Sequence, residues 1–303
     1  MAIRFDNRVA IVTGAGAGLG EQHAKLLASR GAKVVVNDPG GAVDGTGGAS
    51  SAADRVVAEI KAAGGEAVAS YASVAEYAQA ESIIKTAMDT WGRLDILVNN
   101  AGILRDKSFN KMSMEDFEFV MQVHLMGTVY CTKAAWQIMR DAKYGRIVVT
   151  TSGSGTVGNF GQANYGAAKM AVNGFINVLR HEGQNYNIKT NAISPSARTR
   201  MTENLIPAEV AEWMKPELVS PAVAYMCSEQ CEFSGEIIGA NAGHYKIVKY
   251  FESEGVQFDP AEPVTVDMFA ENLGKIMDIS KPDTHGFSSR KLQDRLKAMG
   301  RIK

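Results

Sequence analysis

The fold of this chain is decided by residues 9–20, which run VAIVTGAGAGLG. The first five, Val9 to Thr13, are apolar or β-branched and predict a strand buried on both faces. The glycines that follow permit a tight turn, and residues 21–29 predict a helix that Gly31 ends. A buried strand, a glycine-rich turn and a helix in this order favour nucleotide binding, because such a turn lets backbone and helix N-terminus approach a phosphate.

The same alternation of short apolar segments and longer helical segments continues along the chain. The predicted strands are residues 9–13, 33–37, 67–71, 94–99, 146–151, 189–194 and 236–240. The predicted helices are residues 21–29, 52–63, 75–90, 114–141 and 163–185. This pattern predicts an α/β fold, a doubly wound, Rossmann-like parallel sheet whose ligand lies beyond the carboxyl ends of the strands. Residues 1–243 are expected to form a dinucleotide-binding catalytic domain, and residues 244–303 a C-terminal extension packed on it.

Composition excludes several functional classes. The 303 residues carry 32 basic and 33 acidic side chains, so no basic field favours nucleic acid or an anionic membrane as a partner. The chain has no apolar run of about 18 residues and no N-terminal apolar leader, so we expect neither a membrane span nor a signal peptide. Its three cysteines, among them Cys227 and Cys231, are better explained as buried thiols than as a disulfide framework or metal site. We therefore expect a soluble, cytoplasmic protein without a metal.

Two segments predict a dinucleotide site. Residues 13–20 fit T-G-x-x-x-G-x-G rather than G-x-G-x-x-G, and Gly14, Gly18, Leu19 and Gly20 are expected to face a pyrophosphate. Asp38 ends the second strand, where a carboxylate can accept hydrogen bonds from the adenosine ribose and repel a 2′-phosphate. Because no Arg or Lys stands in the loop or directly beside Asp38, NAD is favoured over NADP. The alternative for Asp38 is a residue that only caps a turn, and residues 39–50 are expected to be a surface loop.

A second cluster of residues predicts acid–base chemistry. Tyr165 and Lys169 are one helical turn apart, which places the phenol and the ammonium on one helix face. A phenol titrates near ~10, and we expect the neighbouring ammonium and the positive nicotinamide ring together to lower the pKa of Tyr165. Ser152 stands at the end of a predicted strand upstream of the tyrosine, and Ser154 is the alternative to it.

These motifs together resemble those of the short-chain dehydrogenase/reductase family. The resemblance rests on T-G-x-x-x-G-x-G at residues 13–20, N-N-A-G at residues 99–102 and Y-x-x-x-K at residues 165–169. It implies that Tyr165 moves the proton, Ser152 hydrogen-bonds the substrate oxygen, and Lys169 supports the tyrosine and binds the nicotinamide ribose. The further cofactor contacts that it implies are Ser73, Val74, Asn100, Ala101, Gly102, Ser196 and Thr199.

The chain also departs from the family pattern. His124 stands where many members have an asparagine in V-N-L-x-G, which leaves open whether its imidazole holds a relay water or is bonded to backbone. Ser196 replaces a family glycine, and Ala72 replaces an aspartate that contacts adenine. Residues 197–215 correspond to the substrate loop. The side chains there that line an apolar substrate, or else pack as a surface helix, are Met201, Leu205, Ile206, Trp213 and Met214.

Within the family, the chain most resembles the (3R)-hydroxyacyl-CoA dehydrogenases of peroxisomal multifunctional enzymes type 2. The likeness covers residues 4–285 and includes residues 37–41, 100–109 and 158–165. It implies NAD-dependent oxidation of (3R)-3-hydroxyacyl-CoA to 3-ketoacyl-CoA, and a homodimer. The alternatives are a hydroxysteroid or a steroid side-chain acyl-CoA as substrate, or a nucleotide-binding protein without catalysis.

The end of the chain is locally basic. We expect a solvated helix or tail, with binding of CoA phosphates or a partner as the alternative. The last residues lack an S-K-L address, which favours a stand-alone, bacterial-type cytoplasmic enzyme. The basic residues in question are Arg290, Lys291, Arg295, Lys297, Arg301 and Lys303.

Overall fold

The computed structural model describes residues 2–48, 51–200, 207–282 and 289–303. The chain divides into two compact units, residues 1–247 and 248–303. The strands of the first unit are β1 (Val9–Thr13), β2 (Lys33–Asn37), β3 (Glu66–Ser70), β4 (Ile96–Asn99), β5 (Gly145–Thr150), β6 (Ile188–Ser196), β7 (Ile237–Asn241) and β8 (His244–Val248). They form one sheet in the order β3-β2-β1-β4-β5-β6-β7-β8.

Helices cover this sheet and connect its parallel strands. Those of the first unit are α1 (Gly18–Ser29), α2 (Ser51–Ala62), α3 (Tyr77–Trp91), α4 (Met114–Met121), α5 (Gly127–Asp141), α6 (Gly153–Thr156), α7 (Ala163–Glu182), α8 (Ala208–Ala211) and α9 (Ser220–Cys227). Short 3₁₀ turns occupy Phe109–Lys111, Gln184–Tyr186 and Pro216–Leu218. Because both faces of the sheet are covered, every residue of β1 and of β4 is buried, and these strands are continuous apolar runs rather than alternating ones.

The strand order reverses next to β1. The chain runs from β1 outward to β2 and β3, and then returns so that β4 pairs with β1 on its other side. Pairings from β3 through β7 are all parallel, so their carboxyl ends meet at one edge of the sheet. A crevice therefore opens beyond the carboxyl ends of β1 and β4. The predicted doubly wound parallel sheet is confirmed.

One long predicted helix is interrupted. Residues 114–141 form α4 and α5, and a π-helical turn, Gln122–Met126, joins the two. This turn holds His124, whose side chain is buried. A π-turn carries one more residue than an α-turn, a change of phase that apolar periodicity does not reveal, and such turns are frequent at functional sites.

The last strand was not predicted from the sequence. A two-residue turn, Ala242–Gly243, links β7 to β8, and both residues have positive φ values, 46° and 81°. This is the backbone of a tight hairpin, but Ala-Gly is a weaker signal for it than Asn-Gly or Asp-Gly. The sheet consequently extends past residue 243, where the sequence analysis ended the catalytic domain.

The second unit, residues 248–303, is small. It contains α10 (Val266–Glu271), α11 (Leu273–Ile276) and α12 (Ser289–Ala298). Arg301, one of the basic residues near the end of the chain, donates from Nε to Asp259 at 2.9 Å. The packing of this extension on the catalytic domain stays a prediction. In the part of the chain that the structure describes, no helix combines the length and apolar character needed to cross a membrane.

Candidate active site

A cleft of about 330 Å³ lies at the carboxyl ends of β1, β2 and β4. Ten of the residues predicted to bind the cofactor line it: Gly14, Gly18, Leu19, Asp38, Ser73, Val74, Asn100, Ala101, Gly102 and Thr199. The predicted residues Gly20, Ser196, Tyr165 and Lys169 are not part of its lining. The sequence therefore identified much of the wall of one cleft from segments far apart in the chain.

The glycine turn is shaped by close backbone packing. Gly14 has φ 63°, and a Cβ atom on it would lie 2.7 Å from the Cα of Ala101. A Cβ atom on Gly20 would lie 2.2 Å from the carbonyl oxygen of Gly14. Gly20 thus lets α1 approach the turn, while α1 begins at the cleft with no side-chain cap from Ala17. Bare backbone and a helix N-terminus at this place fit a pyrophosphate group.

The Asp38 carboxylate stands at the side of this turn. Its Oδ2 accepts a hydrogen bond from Gly16 N at 2.8 Å, and its Oδ1 accepts one from Gly40 N at 2.7 Å. Both the turn role and a role toward ribose hydroxyls are compatible with this arrangement, because each carboxylate oxygen has a second lone pair. Gly16 was not among the predicted site residues, although its place in the glycine run was a usable signal.

A cation does approach this region, from α2. Arg55 donates from Nη2 to Gly16 O at 2.9 Å. The same guanidinium pairs with Glu21 at 2.7 Å and with Glu59 at 2.7 Å. These hydrogen bonds raise the pKa of Arg55. Hydrogen bonds from Lys25 and Arg55 lower the pKa of Glu59 and, against the effect of burial, that of Glu21. The two cations and two carboxylates therefore form one cluster without net charge.

The glycine-rich loop after β2 is more than the predicted surface loop. Residues 41–43, 45 and 47 line the cleft, and the loop is hydrogen-bonded to the segment after β4. Leu104 N donates to Val43 O at 2.9 Å, and Arg105 Nε donates to Asp44 O at 3.0 Å. Gly45 packs so closely that a Cβ atom would lie 2.8 Å from the Phe119 ring. Local sequence does not indicate this wall, because the contacts that fold the loop inward join residues that are distant in the chain.

Asn100 fixes the end of β4 against the glycine turn. Its Nδ2 donates to Thr13 O and Gly14 O, each at 3.0 Å. Thr13 Oγ1 in turn accepts from the backbone N–H groups of Asn100 and Ala101 at 3.1 Å. The amide of Asn100 is thereby committed to backbone, and it positions the cleft wall.

Tyr165 lies on α7 and faces Ser152, the N-terminal cap of α6. A hydrogen bond to Ser152 lowers the pKa of Tyr165, but burial, the larger effect, raises it, and the Asp106 charge raises it further. The expectation that the pKa of Tyr165 falls is therefore wrong for the protein's own groups. Ser154 differs from Ser152, because its hydroxyl is bonded to Gln162 Oε1 at 2.7 Å. Of the two serines, Ser152 is the one that contacts the phenol.

Lys169 is buried beneath the tyrosine. Its Nζ lies 5.5 Å from the centre of the Tyr165 ring and donates to Thr150 O at 2.5 Å. Burial lowers the pKa of Lys169 to about 7. Near neutral pH the lysine is thus divided between ammonium and amine.

His124 packs against the same pair. Its ring meets the Tyr165 ring edge-to-face, with centroids 5.0 Å apart. Its Nε2 lies 2.8 Å from Ile103 O and 3.1 Å from Ile103 N, while Nδ1 is buried without a partner among the described residues. Burial, with the nearby Lys169 charge, lowers its pKa well below the ordinary value, so the imidazole is neutral. One nitrogen is thus within hydrogen-bond distance of the Ile103 backbone, and the other has no partner among the described residues.

The remaining predicted site residues are less central. Ser196 ends β6 and is exposed, whereas Thr199 reaches the cleft. Trp213 is 64% exposed and Met214 is buried, so these two do not form one apolar wall. Met201, Leu205 and Ile206 lie outside the described residues.

Comparison with known proteins agrees with this geometry. The family described as short chain dehydrogenase matches residues 8–209. A protein of Mycobacterium tuberculosis named as a short-chain type dehydrogenase/reductase is 50% identical over 281 residues, which are 93% of this chain and 98% of that protein.

Two further relatives bear on the reaction. Peroxisomal multifunctional enzyme type 2 of Drosophila melanogaster is 48% identical over 92% of this chain, which spans 46% of that protein. Its full-length structure matches with a TM-score of 0.83 and 40% identity, covering 99% of this chain and 51% of that one. A 7α-hydroxysteroid dehydrogenase complexed with NADH and 7-oxo glycochenodeoxycholic acid matches with a TM-score of 0.72 and 28% identity, covering 79% of this chain and 95% of that one.

Proposed function

We propose that this chain, which belongs to the short-chain dehydrogenase family, oxidises (3R)-3-hydroxyacyl-CoA to 3-ketoacyl-CoA with NAD. The observation that carries the reaction type is the meeting of Ser152, Tyr165 and Lys169 at the sheet edge where the cleft opens. The substrate class is supported by the likeness to peroxisomal multifunctional enzyme type 2.

The protein's own groups supply the proton chemistry. Tyr165 takes the hydroxyl proton as the C3–O bond becomes a carbonyl, and Ser152 holds the substrate oxygen by a hydrogen bond. Lys169, below the ring and bonded to Thr150 O, stabilises the phenolate whenever it is protonated. In this proposal His124, whose Nδ1 is buried without a hydrogen-bond partner among the described residues, takes part in passing the proton on from Lys169. When bound, NAD would supply the carbon that accepts the hydride, while the hydroxyl proton goes to Tyr165.

NAD rather than NADP is part of this proposal. Asp38 would repel a 2′-phosphate, and the cations near the glycine turn, Arg55 and Lys25, are both paired with Glu21 and Glu59 in a cluster without net charge. Residues that would hold the cofactor are the ten that line the cleft, with Lys169 at the ribose. A homodimer stays a prediction. A cytoplasmic location also stays a prediction, since the relatives matched include peroxisomal proteins.

A second candidate substrate is a hydroxysteroid. It is favoured by the likeness to the 7α-hydroxysteroid dehydrogenase, a protein whose structure holds a bile-acid derivative. The same serine, tyrosine and lysine would serve both substrates, so only turnover distinguishes them.

Absorbance at 340 nm tests the proposal, with NAD and NADP offered separately to a set of alcohols. The set contains (3R)- and (3S)-3-hydroxyacyl-CoAs of several chain lengths and hydroxysteroids. We expect NADH formation with the (3R) thioesters and at least tenfold lower kcat/KM with NADP. Turnover of hydroxysteroids alone would select the second candidate, and the absence of any turnover of (3R) thioesters would refute the first.

A further inference from the structure

A chain of polar side chains leads from the surface to Ser152 and is not used by the chemistry above. Gln162, the residue before α7, is 7% exposed and lies at its centre. Its Nε2 donates to Asp106 Oδ2 at 2.6 Å, and its Oε1 accepts from Ser154 Oγ at 2.7 Å and from Asn159 Nδ2 at 3.1 Å. The carboxylate therefore fixes the amide orientation, because only the NH₂ group of Gln162 can face it.

This series of hydrogen-bonded side chains ends at the hydroxyl of Ser152. Ser154, held by Gln162 through its side chain, donates its backbone N–H to Ser152 Oγ at 3.2 Å. One lone pair of the Ser152 hydroxyl is then occupied by this donor. The same hydroxyl is hydrogen-bonded to the phenol of Tyr165.

The loops that carry Asp106 and Gln162 are also joined by hydrogen bonds outside this series of side chains. Lys107 N donates to Gly161 O at 3.0 Å, and Asn164 Nδ2 donates to Arg105 O at 3.1 Å. These bonds join the residues on both sides of Asp106 to the segment that carries Gln162. The two loops are thus joined by hydrogen bonds other than the one between the Asp106 carboxylate and the Gln162 amide.

We propose that Asp106 and Gln162 are positioning residues that, through Ser154, direct the Ser152 hydroxyl at the substrate oxygen. The inference rests on the proposed dehydrogenase function. It assigns a task to a carboxylate at the edge of the site and to a buried amide.

Electrostatics add a second consequence of the Asp106 charge. Its negative charge raises the pKa of Tyr165, and burial raises the pKa of Asp106 itself. Arg105 and Lys107, its neighbours on the same loop, are both paired with Asp116 of α4, at 3.2 and 3.1 Å. From α7 and the π-turn, Lys169 and the neutral His124 face the tyrosine.

The first test separates orientation from structure by kinetics. Gln162→Leu is expected to lower kcat about tenfold, since a misdirected catalytic hydroxyl costs rate, and to change KM less than threefold. In a Ser152→Ala background, the same change is expected to cost less than twofold, because a residue that acts only through Ser152 has nothing left to direct. An equal loss in both backgrounds, or wild-type kcat in Gln162→Leu, would overturn the proposal. If Gln162→Leu does not fold, Ser154→Ala removes only one hydroxyl and is read in the same two backgrounds.

The second test uses Asp106→Asn, whose side-chain oxygen can still accept from Gln162. We expect kcat on its plateau within about twofold of wild type, whereas Asp106→Leu should lose about tenfold. Loss of the charge should lower the pKa of Tyr165, so the acid limb of the pH profile moves to lower pH. Asp89→Asn, which removes an exposed carboxylate on α3, is the charge-matched control and should leave that limb unmoved. An unmoved limb in Asp106→Asn, or no rescue over Asp106→Leu, would contradict the proposal.

A measurement without turnover keeps this test distinct from the proposed function. NMR of protein carrying ¹³Cζ-labelled tyrosine, with the resonance assigned by Tyr165→Phe, follows the phenol directly. Asp106→Asn should shift its titration to lower pH even if wild-type protein oxidises none of the alcohols offered. No shift would overturn the electrostatic part, whatever the substrate proves to be.

Discussion

The two edges of the central sheet both bury polar and charged side chains, but they satisfy them differently. At the amino edge, Asp95 is 2% exposed and accepts from Arg8 at 2.8 Å, from Arg93 at 2.6 Å and from Val9 N at 2.9 Å. At the carboxyl edge, Lys169 is held by one carbonyl oxygen, and His124 keeps a buried nitrogen without a partner among the described residues.

Aromatic packing strengthens this contrast. At the amino edge, the guanidinium groups of Arg8 and Arg146 lie 3.8 and 4.4 Å from the centre of the Tyr144 ring. Arg146 is buried and donates to the carbonyl oxygens of Ser228, Gly145 and Asn187. A fully satisfied polar network stabilises a fold, whereas incompletely satisfied groups store the reactivity that a catalytic site needs. We therefore expect variants at the two edges to have opposite effects on stability and activity.

The largest effect on stability is expected from Asp95→Ala. It leaves two guanidinium groups and a backbone N–H without their carboxylate, and should lower the free energy of unfolding by about 3–5 kcal/mol. Denaturant melts measure this loss, and kcat at a permissive temperature should stay near wild type. Glu229→Ala is the matched control, since it removes an exposed partner of Arg8 and should cost below about 1 kcal/mol. Equal losses in the two variants would remove the contrast.

At the carboxyl edge, Lys169→Met should increase stability and abolish turnover. Burial lowers the pKa of Lys169 to about 7, against 10.5 in the unfolded chain. Between these values only the unfolded state binds the proton, so the stability of the wild type rises as pH rises from 7 to 10.5. Methionine removes the cost of a buried ammonium. Near pH 7 we therefore expect the free energy of unfolding to increase by roughly 1–4 kcal/mol, with loss of turnover.

The control for this variant is its own pH series. The stability difference between Lys169→Met and wild type should shrink as pH approaches 10.5. A difference that is independent of pH would show that packing, rather than charge burial, causes it.

Parts of this contrast were open to sequence analysis, and parts were not. Strands and the glycine turn follow from local runs, and Tyr165 and Lys169 follow from a four-residue spacing. The satisfied amino edge and the chain through Asp106 and Gln162 depend on residues dozens to hundreds of positions apart, and no local pattern encodes them. The inward position of residues 41–47 could not be predicted for the same reason. The π-turn around His124 could not be predicted either, because apolar periodicity does not show the change of phase there.

A smaller effect is expected at Asp38. Asp38→Ala should weaken use of NAD by about tenfold and relax discrimination against NADP, because a 2′-phosphate no longer meets a carboxylate. The ratio of kcat/KM values for the two cofactors measures this. Asp44→Ala, an exposed residue of the same loop, should leave the ratio unchanged. An unaltered ratio in Asp38→Ala would show that Asp38 only stabilises the turn, through its hydrogen bonds with Gly16 and Gly40.

The smallest effect is expected at His124. His124→Leu should lower kcat about tenfold or less if Nδ1 serves the proton path, and His124→Asn should restore part of it. His23 offers a matched control, because it is also buried, has a pKa lowered to about 3 by burial, and has one nitrogen without a partner among the described residues. It contacts Ser220 rather than Tyr165, so His23→Leu should change stability and not kcat. Similar kcat values in His124→Leu and His23→Leu would show that His124 contributes to packing and not to the proton path.

In the proposed reaction the phenol of Tyr165 takes the proton of the alcohol at the carboxyl edge of the sheet. Absorbance at 340 nm measures NADH formation by wild type and by Tyr165→Phe with one (3R)-3-hydroxyacyl-CoA, and a fluorescence titration measures the binding of NAD. We predict that the phenylalanine variant binds NAD as wild type does, unfolds at the same temperature and loses turnover by at least roughly 10³-fold. Retention of more than a tenth of the wild-type turnover would contradict the account.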